Sequence, residues 1–287
     1  MDEKKTFFAS LEPKSALLVG AIGGVLLLGT VGFVVLGAVM LKGGLADSTT
    51  AKGTGNEVVA ANTANTNQTP QTPAAATVTK SAKPKVELFV MAYCPYGLQM
   101  EKAYLPAWDL LKNKADITVK FVDYAMHGLK EIEENTRQYC IQKEQPTKYI
   151  SYLKCFTGKD DFQSCLTSAG VDVSKLNSCV DATNKTYGIM DKYNDQSTWL
   201  SGQYPLYPIY TDLNTQYGVQ GSPTLVINGT QADANRTAEG VKEAICASFT
   251  NQPSECNTTL DNTSYSAGFG YTAGANTGSA DCATPAQ

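Results

Sequence analysis

The chain has 287 residues, room for one ordinary domain with accessory segments or for two small domains. Its net charge of −4 and the lack of any Lys/Arg block argue against a nucleic-acid binder. None of its eight cysteines forms a C-x-x-C pair, which counts against a zinc site, and cysteines so widely spaced usually pair as disulfides in an oxidising compartment.

Residues 1–15 carry Lys4, Lys5 and Lys14 and precede an uncharged run from Ala16 to Leu41. A helix needs about 20 apolar residues to cross the hydrocarbon core, and this run exceeds that. A small-x-small site at Gly44 and Ala46 would suit a cleaved signal peptide, but the apolar run is much longer than a signal h-region. An uncleaved, single-pass transmembrane helix over 16–41 is expected. The positive-inside rule places its N-terminus in the cytoplasm and the rest of the chain in an extracytoplasmic compartment. Residues 42–83 are Ala, Thr, Asn, Gln and Pro with almost no large apolar residue, so a flexible linker is expected. Residues 257–287 are similar in composition and are expected to form a disordered tail.

The folded domain is expected over 84–256. Val86–Met91 reads as a strand, Pro95 opens a helix whose apolar residues include Leu98, Leu105, Trp108 and Leu111, and Ile117–Val122 alternates like a half-buried strand. Strand, helix, strand opens an α/β unit. A run of short helices follows, an insertion over about 128–196. Thr224–Ile227 then reads as a strand entering an Asn228-Gly229 turn, and a helix from about Ala238 to Phe249 closes the domain.

Cys94 directly follows the first strand and starts the first helix, where unpaired backbone N–H groups and the helix dipole favour a thiolate. Gly221-Ser222-Pro223-Thr224 puts a proline immediately before a later strand. In this order, the two motifs resemble the thioredoxin superfamily, of which DsbA-like proteins are members. That resemblance implies a thioredoxin-like fold, a cis Pro223 facing a catalytic Cys94, and substrate contacts from Pro95, Tyr96, Ser222 and Pro223. Dithiol members carry Cys-x-x-Cys, whereas this chain reads Cys94-Pro95-Tyr96-Gly97. Cys94 is therefore expected to be a free thiol of moderately lowered pKa, and a cysteine restored at Gly97 is expected to pair with it at little cost to the fold. A lone thiolate needs another thiol to leave a mixed disulfide. Two readings follow. One is a monothiol reductase or isomerase acting on disulfide-containing proteins, or on small thiols, with no organic or metal cofactor. The other is a degenerate binding or chaperone-like module, which a buried, unreactive Cys94 would favour.

His127-Gly128-Leu129-Lys130-Glu131, Asn135, Cys140, Tyr152-Leu153-Lys154-Cys155-Phe156, Phe162-Gln163-Ser164-Cys165, Cys179 and Cys246…Pro253…Cys256 resemble, in order, the gamma-interferon-inducible lysosomal thiol reductase (GILT) family. This resemblance implies that Cys140, Cys155, Cys165, Cys179, Cys246 and Cys256 are oxidised. Cys246 is expected to pair with Cys256, and the other four leave three connectivities open. Two family cysteines are replaced together, by Ala125 and Ile132. His127, the only histidine, is expected to pack or hydrogen-bond rather than act as a base. The acidic stretch Lys130–Glu134 is expected to be a solvated helix face with Leu129 and Ile132 turned inward. No spacing holds Cys94, Met91, Met126 and His127 together as copper ligands.

Overall fold

The computed structural model describes residues 77–278 and 280–283. The expected membrane helix at 16–41 and the linker up to residue 76 lie outside the described residues. Among the described residues, no helix is long and apolar enough to cross a membrane.

Strand β1 (Lys85–Val90) is buried from Val86 onward, as befits a central strand covered on both faces. It crosses over through helix α1 (Pro95–Leu111) to strand β2 (Asp116–Phe121), which pairs with it in parallel from Lys85↔Asp116 to Val90↔Phe121. Helices α2 (Leu129–Glu144), α3 (Pro146–Gly158), α4 (Phe162–Ala169), α5 (Val173–Tyr187), α6 (Ile189–Asn194) and α7 (Thr211–Tyr217) follow. The chain then returns through the short strand β3 (Gly221–Ser222) to β4 (Thr224–Ile227), antiparallel to β1. Asn228 and Gly229, at φ 50° and 80°, turn β4 into β5 (Thr230–Gln231), the backbone that an Asn-Gly hairpin turn demands. Helix α8 (Ala238–Ala247) packs against α1. The main sheet runs β2-β1-β4-β5. A parallel β-α-β unit joined to an antiparallel β-β-α unit in this order is a thioredoxin-like fold, here with a helical insertion.

Three disulfides brace its helices. Cys140–Cys179 ties α2 to α5, Cys155–Cys165 ties α3 to α4, and Cys246–Cys256 ties α8 to the turn after it. Ala125 and Ile132 are both core residues.

Two regions differ from their sequence-based description. Glu131 and Glu134 are fully buried rather than solvated, because α3 and α5 both pack on α2. Glu134 accepts hydrogen bonds from Tyr152, Gln138 and Arg137, and Glu131 pairs with His127. The tail differs more. Residues 258–278 lie along the domain, and Phe269 wedges edge-on against Tyr93 and Phe156, with ring centroids 5.8 and 5.3 Å apart. Thr157 and Lys154 on α3 hold the Tyr271 hydroxyl. Composition alone misses this docking because polar bonds to main-chain carbonyls, more than apolar burial, hold the segment.

Glu101 on α1 is fully buried, and neither of its carboxylate oxygens has a hydrogen-bond partner. Burial, reinforced by the nearby Glu134 carboxylate, raises it well above the usual carboxylate range. The folded state therefore holds a proton that the unfolded chain has released. Its contribution to stability is complete below the unfolded carboxylate pKa of about 4.5 and is lost as pH rises through the raised folded value. Glu101→Gln, which keeps the shape without the charge, is expected to flatten this decline and stabilise the domain at pH 8 by about 1–3 kcal/mol. Urea denaturation of both proteins at pH 5 and pH 8 checks it.

Candidate functional site

Cys94 occupies the N-cap of α1, with Pro95 in the first turn, and its sulfur accepts the Gly97 N–H at 3.3 Å. This is the environment expected to stabilise a thiolate. Across from it lies the Ser222–Pro223 peptide bond, which is cis. The Ser222 carbonyl oxygen is 3.2 Å from the Cys94 sulfur, and the Ser222 hydroxyl accepts the Met91 N–H at 2.9 Å. Cys94 and Ser222 are fully buried, Pro223 and Tyr96 are half-buried, and Pro95 is exposed. Asn135 on α2 accepts the Ala92 N–H, which ties the insertion to the loop that carries Cys94. His127 sits apart from this constellation, in its pair with Glu131.

Cys94 is not free. It forms a disulfide with Cys282, 188 residues away, with the two Cα atoms 6.0 Å apart. The docked tail brings Cys282 there. Lys102 on α1 donates to the carbonyls of Ser266, Gly268 and Gly270 at 2.7, 2.8 and 2.7 Å. Burial lowers this ammonium to about 8, so it remains charged at neutral pH. Gln99 donates to the carbonyls of Tyr265 and Ala275 at 2.6 and 2.9 Å. Arg236 donates to the Thr277 hydroxyl at 2.6 Å and also to the Ala280 carbonyl. The tail then forms strand β6 (Cys282–Ala283), antiparallel to β3 with Gly221↔Ala283 and Ser222↔Cys282 in register. A cavity of about 850 Å³ opens beside this pairing, lined in part by Met100, Pro223, Leu225, Arg236 and Asp281.

The buried surroundings of Gly97 also differ from expectation. A Cβ built there would lie 2.5 Å from the Ser222 hydroxyl and 3.2 Å from the Met91 carbonyl. The space that a second thiol would need is filled by the serine that caps the end of β1, so a cysteine at this position disturbs the fold. Gly97→Ala is expected to cost about 1–3 kcal/mol through overpacking. Ser222→Ala should cost a similar amount by stranding the buried Met91 N–H. The double variant should fall short of the sum by about 1 kcal/mol, because removing the hydroxyl relieves the clash. Chemical denaturation of the four proteins closes the cycle.

Sequence reasoning found Cys94 and Pro223 but missed Cys282 and its anchors Gln99, Lys102 and Arg236. One signal was available. With six cysteines assigned to pairs, Cys94 and Cys282 were the two left over.

No family model matches the chain, and no curated protein matches it. Solved structures similar to it include the reduced form of the disulfide bond oxidoreductase DsbG from Mycobacterium tuberculosis, at 16% identity over 63% of this chain and 92% of that one, with a TM-score of 0.44. Oxidised DsbA from the same organism matches at 16% identity over 63% and 95%, with a TM-score of 0.41. Oxidised BdbD from Bacillus subtilis matches at 19% identity over 58% and 89%, with a TM-score of 0.38.

Proposed function

We propose that this protein is a membrane-tethered, extracytoplasmic thiol-disulfide oxidoreductase whose working pair is Cys94 and Cys282. One observation carries the reading: the Cys94–Cys282 disulfide lies at a helix N-terminus beside the cis Ser222–Pro223 peptide bond. A dithiol replaces the monothiol expected from Gly97, and the C-terminal tail supplies the second sulfur.

In the reduced form, the Cys94 thiolate attacks one sulfur of a substrate disulfide. The first substrate cysteine leaves as a thiolate and takes a proton, and a mixed disulfide joins Cys94 to the second. The Cys282 thiolate then attacks the Cys94 sulfur, restoring the Cys94–Cys282 bond and releasing the second substrate thiol. The substrate gains two electrons and the enzyme pair loses them. Helix stabilisation of the Cys94 thiolate makes it both the attacking group and the better leaving group. Pro95 and Tyr96 would border the bound disulfide, and Ser222 and Pro223 would meet its backbone. Substrates are disulfide-containing proteins outside the cytoplasm. The chemistry needs only thiols, and the family resemblance of the insertion points towards reduction or isomerisation.

A second reading, a binding module closed by a structural clasp, draws support from the complete burial of Cys94. Reduction of insulin disulfides under a dithiol regenerating system separates the two. An oxidoreductase loses turnover on Cys94→Ser substitution, whereas a clasp shows no turnover to lose. The tether is tested by a carbonate wash of host membranes, which should leave the full-length protein in the pellet; a soluble form starting near Asp47 would refute it.

A further inference from the structure

We propose that the oxidised tail is a tethered stand-in for a substrate strand, and that reducing equivalents are received at Cys282 rather than at Cys94. This rests on the reading of Cys94 and Cys282 as a redox pair, and it adds which sulfur is attacked and what then moves.

β6 adds to β3 as a peptide strand would, with Cys282 opposite Ser222, the residue before cis Pro223. Gly221 lets it come this close. A Cβ at Gly221 would lie 2.6 Å from the Ala283 Cβ and 2.7 Å from the Cys282 carbonyl oxygen, and its three nearest atoms all belong to the tail. While the disulfide is closed, this strand edge is occupied. Attack on a disulfide proceeds through one sulfur with the other as leaving group. Cys94 is fully buried, whereas Cys282 is partly exposed.

An incoming thiolate therefore bonds to the Cys282 sulfur, the Cys94–Cys282 bond breaks, and Cys94 departs as the thiolate that the helix N-terminus favours. With a dithiol reductant, the second thiol displaces Cys282 from the mixed disulfide and closes the reductant's own disulfide. Cys282 takes up a proton, and two electrons have passed to the pair. Freed of the covalent bond, β6 leaves β3 and exposes both the strand edge and Cys94. Closure takes another route: the Cys282 thiolate attacks the Cys94 sulfur of a Cys94–substrate disulfide, the substrate thiol leaves, and the tail re-docks.

The test uses the oxidised full-length protein in detergent, with glutathione as the monothiol probe, acid quenching, N-ethylmaleimide alkylation and peptide mapping. Glutathione is expected on Cys282 and the maleimide on Cys94. Glutathione on Cys94 with Cys282 alkylated, or no adduct at either, overturns the proposal. Gly221→Ala, whose Cβ would press first on the tail, should raise the adduct rate by about tenfold; an unchanged rate overturns the strand-edge part. Hydrogen exchange supplies a measurement without substitution. After reduction by dithiothreitol, the amides of the β3–β6 pair, Gly221–Ser222 and Cys282–Ala283, should exchange at least about tenfold faster while β1 stays protected, and unchanged exchange contradicts release. Turnover enters none of these readouts. A tail that opens in a protein inactive on insulin sinks the enzymatic reading alone, and an active enzyme whose tail stays docked sinks this one alone.

Discussion

Replacing Cys282 with serine is expected to leave a protein that attacks a substrate disulfide once and then stalls. Cys94 is then free and still sits at the N-cap of α1. The mixed disulfide it forms has no internal resolving thiol, so turnover depends on small thiol from solution. Intramolecular resolution normally outpaces a millimolar external thiol, and multiple-turnover reduction of insulin should drop by about 100-fold or more. Covalent Cys94–substrate complexes should accumulate on non-reducing gels. The same substitution removes a cross-link spanning 188 residues of sequence. In the chain-entropy picture such a long loop contributes about 5 kcal/mol, against roughly 3 kcal/mol for the short loops closed by Cys155–Cys165 and Cys246–Cys256. A lowered urea midpoint of the oxidised form should accompany the kinetic defect, and a variant that turns over at the parent rate would show that Cys282 resolves nothing.

The second large effect is expected at Lys102. Its ammonium is the hub of the docked tail, donating to three carbonyls from a side chain that is itself almost fully buried. Hydrogen bonds from a charged donor contribute about 1.5–3 kcal/mol each. Lys102→Met keeps the apolar stem of the side chain and deletes all three. The carbonyls can regain water only if the tail lifts, so the loss falls on docking rather than on the core. Limited proteolysis between residues 258 and 278 should accelerate by about 1,000-fold or more, since each 1.4 kcal/mol is a tenfold change in the open population. Fragments confined to that segment are expected; cleavage spread through β1 and α8 would mean that Lys102 supports the domain itself.

The parts of the fold legible in the sequence are those in which periodicity and turn chemistry agree. β1, α1 and β2 follow from apolar spacing, and the Asn228-Gly229 turn marks the β4–β5 hairpin because both residues must take positive φ. The position of Cys94 between a strand and a Pro-led helix is enough to suggest its chemistry. Elsewhere the sequence reads differently from the structure because polarity was taken for exposure. Glu131 and Glu134 look like a solvated face yet are enclosed between helices, where His127, Arg137, Gln138 and Tyr152 pair with them. The tail looks too poor in apolar residues to fold, and nothing in the sequence marks Gln99 and Lys102 as its anchors. Each hides the other: the side chains are buried because the tail lies on them, and the tail is ordered because they bind its carbonyls. Gly97 is similar. It reads as a missing cysteine, whereas its lack of a side chain makes room for Ser222, 131 residues from the Met91 amide that it caps.

The most direct measurement is a redox titration of the native, oxidised full-length protein in dithiothreitol buffers of graded potential, with each cysteine quantified by alkylation and mass mapping. Cys94 and Cys282 should become alkylated together, at a less reducing potential than any other pair, because the helix N-terminus stabilises the Cys94 thiolate in the reduced form. Cys140–Cys179, Cys155–Cys165 and Cys246–Cys256 should remain closed through that transition. If the Cys94–Cys282 bond instead persists until the other three open with global unfolding, it is a structural clasp, and the redox assignment fails.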